Sequence, residues 1–118
     1  MFDAAFYTTA FPDLVQQECR RQSGQVPVVE FRLGDGTTLD VCHVMQLADR
    51  WMVLAFFRDP KTCEDMDIAF LPYELVVRIN ISLHNPRSRR IGFTDKAPAI
   101  LAAPEAQSPG QPETGGTP

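Results

Sequence analysis

The sequence predicts a mainly β protein, in which an N-terminal α-helix precedes a five-stranded, strongly bent antiparallel sheet that closes into a small barrel. Three observations predict this fold. Five short apolar or alternating runs lie between residues 26 and 83. Turns rich in glycine, proline or charged residues separate them. The second run loses its alternation midway, which is typical of a bulged or sharply bent strand. Five short bent strands on about 60 residues most simply close into a small barrel.

Length and composition fit one small domain. The chain has 118 residues and a net charge of −4, so charge gives no indication of nucleic acid as a partner. No apolar run approaches the ~20 residues of a membrane span. The N-terminal stretch has no basic region and carries Asp3, and the three cysteines form no disulfide framework. We therefore expect a cytoplasmic protein without a membrane partner.

The first element is a helix over about residues 11–23. Pro12 and Asp13 suit its first turn, where a negative charge meets the positive end of the helix dipole. Gly24 is a natural stop. The apolar stripe is narrow, which indicates a helix lying on the sheet, and it contains Leu14, Val15 and Cys19.

The next element is a hairpin. Val29, Phe31 and Leu33 alternate with polar residues and should share one buried face. The turn Gly34-Asp35-Gly36 leads into a long second strand from Thr37 to Leu47, whose alternation is lost around residues 43–45.

The last three strands follow. Residues 51–57, "WMVLAFF", contain almost nothing polar and predict a strand buried on both faces. A charged loop leads to a fourth strand, residues 68–71, which Pro72 ends because proline cannot donate to a ladder. Residues 75–83, "LVVRINISL", form the fifth strand. From these elements we expect one ordered domain over residues 1–96.

Residues 97–118 are dominated by proline, glycine, alanine and small polar residues, and they hold five of the ten prolines. Such a segment buries too little apolar surface to offset its chain entropy, so we expect a disordered tail. Its small apolar patch "AILAA" leaves open the alternative that part of it docks on the domain.

The segments "QVPVVEFRLGDGTTLDVCHVMQLADRWMVLAFF" and "DIAFLPYELVVRINI" resemble the two sequence motifs of the Sm-like family, and the bacterial Hfq branch more than the eukaryotic Sm proteins. The resemblance implies an SH3-like, Sm-type barrel. It also implies a ring in which the fourth strand of one subunit pairs with the fifth of the next. Pro72-Tyr73 stand where Hfq has Lys-His and Sm proteins have Arg-Gly.

The resemblance also implies a binding site at the central pore. Asp49, Arg50 and Trp51 fall at one pore-lining turn, and Tyr73 falls at the other. A flat ring with a cation nearby is what stacking on an RNA base requires. The alternative is that Trp51 belongs to the core and Asp49 caps the turn.

A basic segment follows the last strand. Arg87, Arg89 and Arg90 are candidate phosphate contacts, although a solubilising flank explains them equally well. The sequence contains no motif for catalysis, and no cysteine or histidine spacing typical of a metal site. We therefore expect no enzyme activity, no cofactor and no metal.

Three functions stay open at this stage. The first is an Sm-like homo-oligomeric ring of about five to seven subunits that binds single-stranded RNA at its pore. The second is a scaffold or protein-interaction module of the same fold without RNA binding. The third is an unrelated SH3-like barrel that serves as a monomeric adaptor.

Overall fold

The computed structural model describes residues 1–101. These residues form two helices, six strands and a 3₁₀ turn. In chain order they are α1 (Ala4–Thr8), α2 (Ala10–Arg21), β1 (Val26–Leu33), β2 (Thr38–Leu47), β3 (Trp51–Phe57), β4 (Met66–Pro72), the 3₁₀ turn (Tyr73–Leu75), β5 (Val76–His84) and β6 (Ala99–Ile100). Among them, no helix has the length and apolar character needed to cross a membrane.

The five long strands pair antiparallel in the order β4-β3-β2-β1-β5. The mainly β fold with an N-terminal helix is thus confirmed. The predicted closure is not: in the sheet that residues 1–101 form, β4 and β5 lie at opposite ends, and no pairing joins them. The helices pack on the core face of the sheet instead, and the segment after β5 contacts both faces, with Phe93 in the core and Arg89 on Asp40 at the opposite face.

The bend in the sheet lies in β2, as the lost alternation predicted. Its pairing with β3 shifts register between Val41 and His43, and again between Val44 and Gln46. The first half of β2 pairs with β1 over residues 38–41, whereas the second half pairs with the short parallel strand β6. The two bulges therefore let one strand serve two differently oriented parts of the sheet.

The N-terminus holds one helix more than the sequence predicted. Asp3 begins α1, and its side chain accepts a hydrogen bond from the Phe6 backbone at 3.0 Å. In α2, Val15 is buried and Cys19 packs against the core, as predicted, whereas Leu14 is exposed and Phe11 takes its place on the buried side.

The core lies between the helices and the concave face of the sheet. The predicted face of β1 is confirmed, since Val29, Phe31 and Leu33 are all buried. The strand β3 is buried on both faces over Met52–Ala55. Aromatic rings from the helices pack edge-on or tilted against the core rings, with centroids separated by 5.7 Å for Tyr7 and Phe11 and 5.9 Å for Tyr7 and Phe31.

The chain after β5, residues 85–101, crosses the sheet, and we call it the strap. Backbone amides of Phe93, Thr94 and Leu101 donate to the carbonyls of Pro27, Cys42 and Leu47 at 2.8, 2.7 and 2.7 Å. The predicted domain boundary at residue 96 falls inside the strap, whose last part forms β6. The rest of the predicted tail, residues 102–118, lies outside the described residues.

The strap approaches β1 too closely for a side chain at one position. A Cβ atom at Gly92 would overlap the carbonyl oxygen of Pro27, the same oxygen that accepts the bond from the Phe93 amide. Glycine is therefore required there for close approach.

Candidate functional site: two free sheet edges and the turn before β3

The free edge at β4 exposes an apolar row. Side chains alternate along the strand, so that Leu71 faces the core while Met66, Ile68 and Phe70 point outward. Phe70 is 69% exposed, a high value for a phenylalanine in a strand. The outward side chains and the unpaired backbone groups of the edge form one continuous surface.

Trp51, the first residue of the neighbouring strand β3, extends this apolar row. It pairs with Pro72 in the sheet, and its ring lies 6.0 Å from the ring of Phe70 at an interplanar angle of 36°. The indole is 39% exposed, so Trp51 is neither a core residue nor a free platform. It is the end of the apolar row on β4.

The other free edge is β5. It pairs with β1 from Val26 to Leu33, and its opposite side has no partner within the part of the chain described. Its outward residues are mixed in character: Val77 is exposed and apolar, whereas Arg78, Asn80 and Ser82 are polar. The two ends of the sheet thus differ in chemistry.

The turn before β3 is held by Tyr73. The Tyr73 hydroxyl donates to the carbonyl of Ala48 at 2.6 Å, and its backbone amide donates to the carbonyl of Arg50 at 3.2 Å. Its ring stacks on Tyr7 at 6.0 Å and is only 1% exposed. Tyr73 therefore supports the turn from inside, and its buried ring presents no face to a base.

The surroundings of the turn carry charges of both signs. Asp49 and Arg50 are exposed and line a depression of about 210 Å³ together with Glu74. Burial, with the nearby carboxylates of Asp3 and Asp49, raises the pKa of Tyr73. Arg50 and Met1 thus share the depression with the carboxylates of Asp49 and Glu74, so it has no excess of positive charge to attract phosphate.

The candidate phosphate contacts separate into two groups. Arg89 is buried and holds both carboxylate oxygens of Asp40, at 2.8 and 2.7 Å, while its guanidinium lies 5.2 Å from the centre of the Phe57 ring. Arg87 and Arg90 are exposed and line a shallow cleft. Only these two are available to an anion.

The fourth strand was expected to pair between subunits, but the exposed apolar row along it was not predicted. Its signal was present, because residues 66–72, "MDIAFLP", alternate in a way that places three apolar side chains on the face away from the core. In residues 1–101, no three histidine, cysteine or acidic side chains lie close enough together to hold a metal ion.

Together, the fold and the site define only a class of protein, a small, mainly β domain. Within residues 1–101 its sheet has two free edges, one of which is apolar and ends in an aromatic pair. No protein-family model, curated protein or solved structure matches the chain.

Proposed function

We propose that this chain is a self-assembling scaffold module, an Sm-type small barrel that is completed between copies when β4 of one subunit pairs with β5 of the next. One observation carries the proposal: within residues 1–101 both ends of the sheet are free, and the β4 end exposes Met66, Ile68 and Phe70. The strand order β4-β3-β2-β1-β5 and the bulged β2 support the Sm-type layout that the sequence resembles.

The β4 edge lacks the usual protection against pairing. Free edges are ordinarily blunted by charge, proline or a covering loop. Between Met66 and Leu71 the strand carries one charged side chain, Asp67, and Arg58 engages it at 2.7 Å. Proline appears only at the last position, Pro72. An edge of this kind is stable in a cell when another strand covers it.

The two edges determine the geometry of assembly. Because β4 and β5 are different surfaces, their contact is head-to-tail, and an open chain of subunits keeps one free edge of each kind, at its two ends, until a ring closes. In a closed ring of about five to seven subunits, every β4 edge is paired with a β5 edge. The same contact without closure would give filaments.

Native mass spectrometry and light scattering at micromolar concentration test this proposal. We expect a single closed oligomer whose size does not grow with concentration. Ile68→Lys places a charge in the edge and should give folded monomer. Leu14→Lys is the matched control, since it also adds a lysine at an exposed apolar position, but on α2. A wild-type monomer at these concentrations would refute the proposal.

A second candidate function is binding of single-stranded RNA. Its supporting observation is that Trp51 is partly exposed and adjoins the exposed Arg50 in the turn. The buried Tyr73 and the buried Arg89 favour the scaffold over this candidate.

A further inference from the structure

A cleft of about 370 Å³ lies between the loop that joins β3 to β4 and the first part of the strap. Three cationic side chains line it from two segments that are distant in sequence: Lys61 from the loop, and Arg87 and Arg90 from the strap. Among the described residues that line it, Glu64 carries the only negative charge. The cleft therefore has an excess of two positive charges, in a chain whose net charge is −4.

These three cations differ from the others nearby. Arg58 and Arg89 are each paired with an aspartate, at 2.7 Å. Within residues 1–101, by contrast, no carboxylate forms an ion pair with Lys61, Arg87 or Arg90. Like charges that the fold holds near one another repel, and a bound anion relieves that repulsion. The charge of these three side chains is therefore available to a ligand.

Contacts between the loop and the strap fix the two walls of the cleft. The Arg90 guanidinium donates to the carbonyl of Thr62 at 3.3 Å. Behind the cleft, the buried thiol of Cys63 contacts the carbonyl of Ile91 at 3.8 Å. Cys63 has a φ of 56°, in the left-handed region, and its neighbours Thr62 and Glu64 both line the cleft. A ligand would thus meet walls that are already in contact with each other.

Asn85 shapes the strap wall. Its side-chain carbonyl accepts a hydrogen bond from the Arg87 amide at 2.9 Å. Its backbone carbonyl accepts from the amide and the hydroxyl of Ser88, at 2.9 and 3.0 Å. Because these backbone amides are used inside the turn, the donors left for a ligand on this wall are the side chains of Arg87 and Arg90.

We propose that this cleft binds the phosphate monoester group of a small molecule through Lys61, Arg87 and Arg90. A guanidinium presents a planar pair of donors that matches two phosphate oxygens, whereas a lysine acts as a point charge. A monoester carries a charge of about −1.5 to −2 at neutral pH, which matches the excess charge of the cleft. A phosphodiester of a nucleic-acid backbone carries one negative charge and leaves part of that excess uncompensated.

The cleft is separate from the proposed assembly surface. None of the described residues that line it belongs to β4 or β5. Failure of ring assembly would leave this proposal unaffected, and the reverse also holds.

The test is a ¹H–¹⁵N NMR titration of the full chain at pH 7 and constant ionic strength with two probes. Methyl phosphate is a monoester, and dimethyl phosphate is the corresponding diester with one negative charge. With methyl phosphate we expect saturable shifts for the amides around Thr62 and Ser88. Dimethyl phosphate should bind about threefold to tenfold more weakly, because it has one charge and two free oxygens fewer to offer the three cations.

Four variants locate the site. Arg87→Gln and Arg90→Gln should each weaken methyl phosphate binding about threefold to tenfold, between the effect of an exposed ion pair and that of a charge-assisted hydrogen bond. Arg20→Gln is the matched control, since it removes the same charge from an exposed position on α2 and should leave the affinity unchanged. Glu64→Gln removes the carboxylate that repels the ligand, and we expect binding about twofold to fivefold tighter. A gain of this kind cannot result from loss of the fold.

Three outcomes would overturn the proposal. The first is the absence of saturable binding of methyl phosphate to the wild type. The second is an equal loss in Arg20→Gln and Arg87→Gln, which would mean that the anion responds to net charge alone. The third is equal affinity for the two probes, which would assign the cleft to the phosphodiester backbone of a nucleic acid.

Discussion

Arg89 and Asp40 form a bidentate ion pair in which both side chains are less than 10% exposed, at 8% and 7%. Hydrogen bonding to Asp40 raises the pKa of Arg89, so the guanidinium remains charged. Arg89 also donates to the carbonyl of Ile91 at 2.6 Å. The pair anchors the strap to the face of β2 opposite the main core, since the neighbours of Asp40 in the strand, Leu39 and Val41, belong to that core.

Removal of one partner of this pair should be strongly destabilising. Asp40→Asn leaves a buried guanidinium without its counter-charge, and we expect a loss of about 3–5 kcal/mol in the free energy of unfolding. Urea unfolding followed by circular dichroism measures it. The double variant Asp40→Leu/Arg89→Met should recover most of the loss, because it leaves no uncompensated charge. A double variant as unstable as Asp40→Asn would show that the strap needs the pair itself.

The two stacked tyrosines should respond oppositely to loss of their hydroxyls. Tyr73→Phe leaves the carbonyl of Ala48 without its donor, and we expect a loss of about 1–3 kcal/mol. Tyr7→Phe removes a hydroxyl that has no partner, so the unfolding free energy should stay the same or increase. Thermal melts of both variants at pH 7 give the comparison. Equal destabilisation would contradict the assignment of the unsatisfied hydroxyl.

Stability should fall in alkaline solution. In the unfolded chain tyrosine ionises near pH 10, whereas burial holds the pKa of Tyr7 above that value in the folded chain. Below about pH 10 the group is neutral in both states and adds no pH dependence. Above it, only the unfolded chain releases the proton, so the unfolding free energy decreases by up to about 1.4 kcal/mol per pH unit. Urea titrations at pH 9, 10 and 11 should show a shallower decrease for Tyr7→Phe.

Two truncations should separate the contribution of the strap to stability from that of the segment after Leu101. A chain that ends after Leu101 keeps all the strap contacts that the structure describes, and we expect its melting temperature to match the wild type. A chain that ends after Lys96 loses β6 and the hydrogen bond from Leu101 to Leu47, and we expect a loss of about 1–3 kcal/mol. Differential scanning calorimetry measures both. Equal stability of the two would mean that β6 contributes nothing.

Trp51→Ala tests the second candidate function. If RNA stacks on the indole, the variant should lose about 1–3 kcal/mol of binding free energy, roughly tenfold to hundredfold in affinity. Fluorescence anisotropy with a labelled single-stranded RNA measures the change. Phe70→Ala is the control, since it truncates the neighbouring ring and leaves the indole in place. No measurable RNA binding by the wild type would eliminate this candidate and leave the scaffold.

Local sequence patterns were sufficient to predict most of the sheet. The alternation of Val29, Phe31 and Leu33 identified the buried face of β1, and the lost alternation in β2 located the bend. Both are effects of the two-residue period of a strand, which sequence displays directly. The helix α1 was missed because it is only five residues long, and its one signal is the capping side chain of Asp3.

Long-range contacts were beyond such reasoning. Nothing near Arg89 in sequence indicates that it pairs with a residue 49 positions earlier, so it was grouped with the exposed arginines 87 and 90. Tyr73 was predicted at a binding surface because its turn was located correctly, but the direction of its ring depends on Tyr7 in a helix that was not predicted. Burial of a polar side chain is decided by tertiary partners rather than by local pattern.

The buried pair also imposes an order on biosynthesis. Asp40 leaves the ribosome 49 residues before its partner, an interval of roughly 2–10 s at ordinary elongation rates. By the end of that interval all five long strands are available, but the carboxylate of Asp40, on the face of β2 opposite the main core, has no counter-charge. The sheet therefore cannot reach its final stability until the strap has emerged, which makes the last described segment of the chain the one that completes folding.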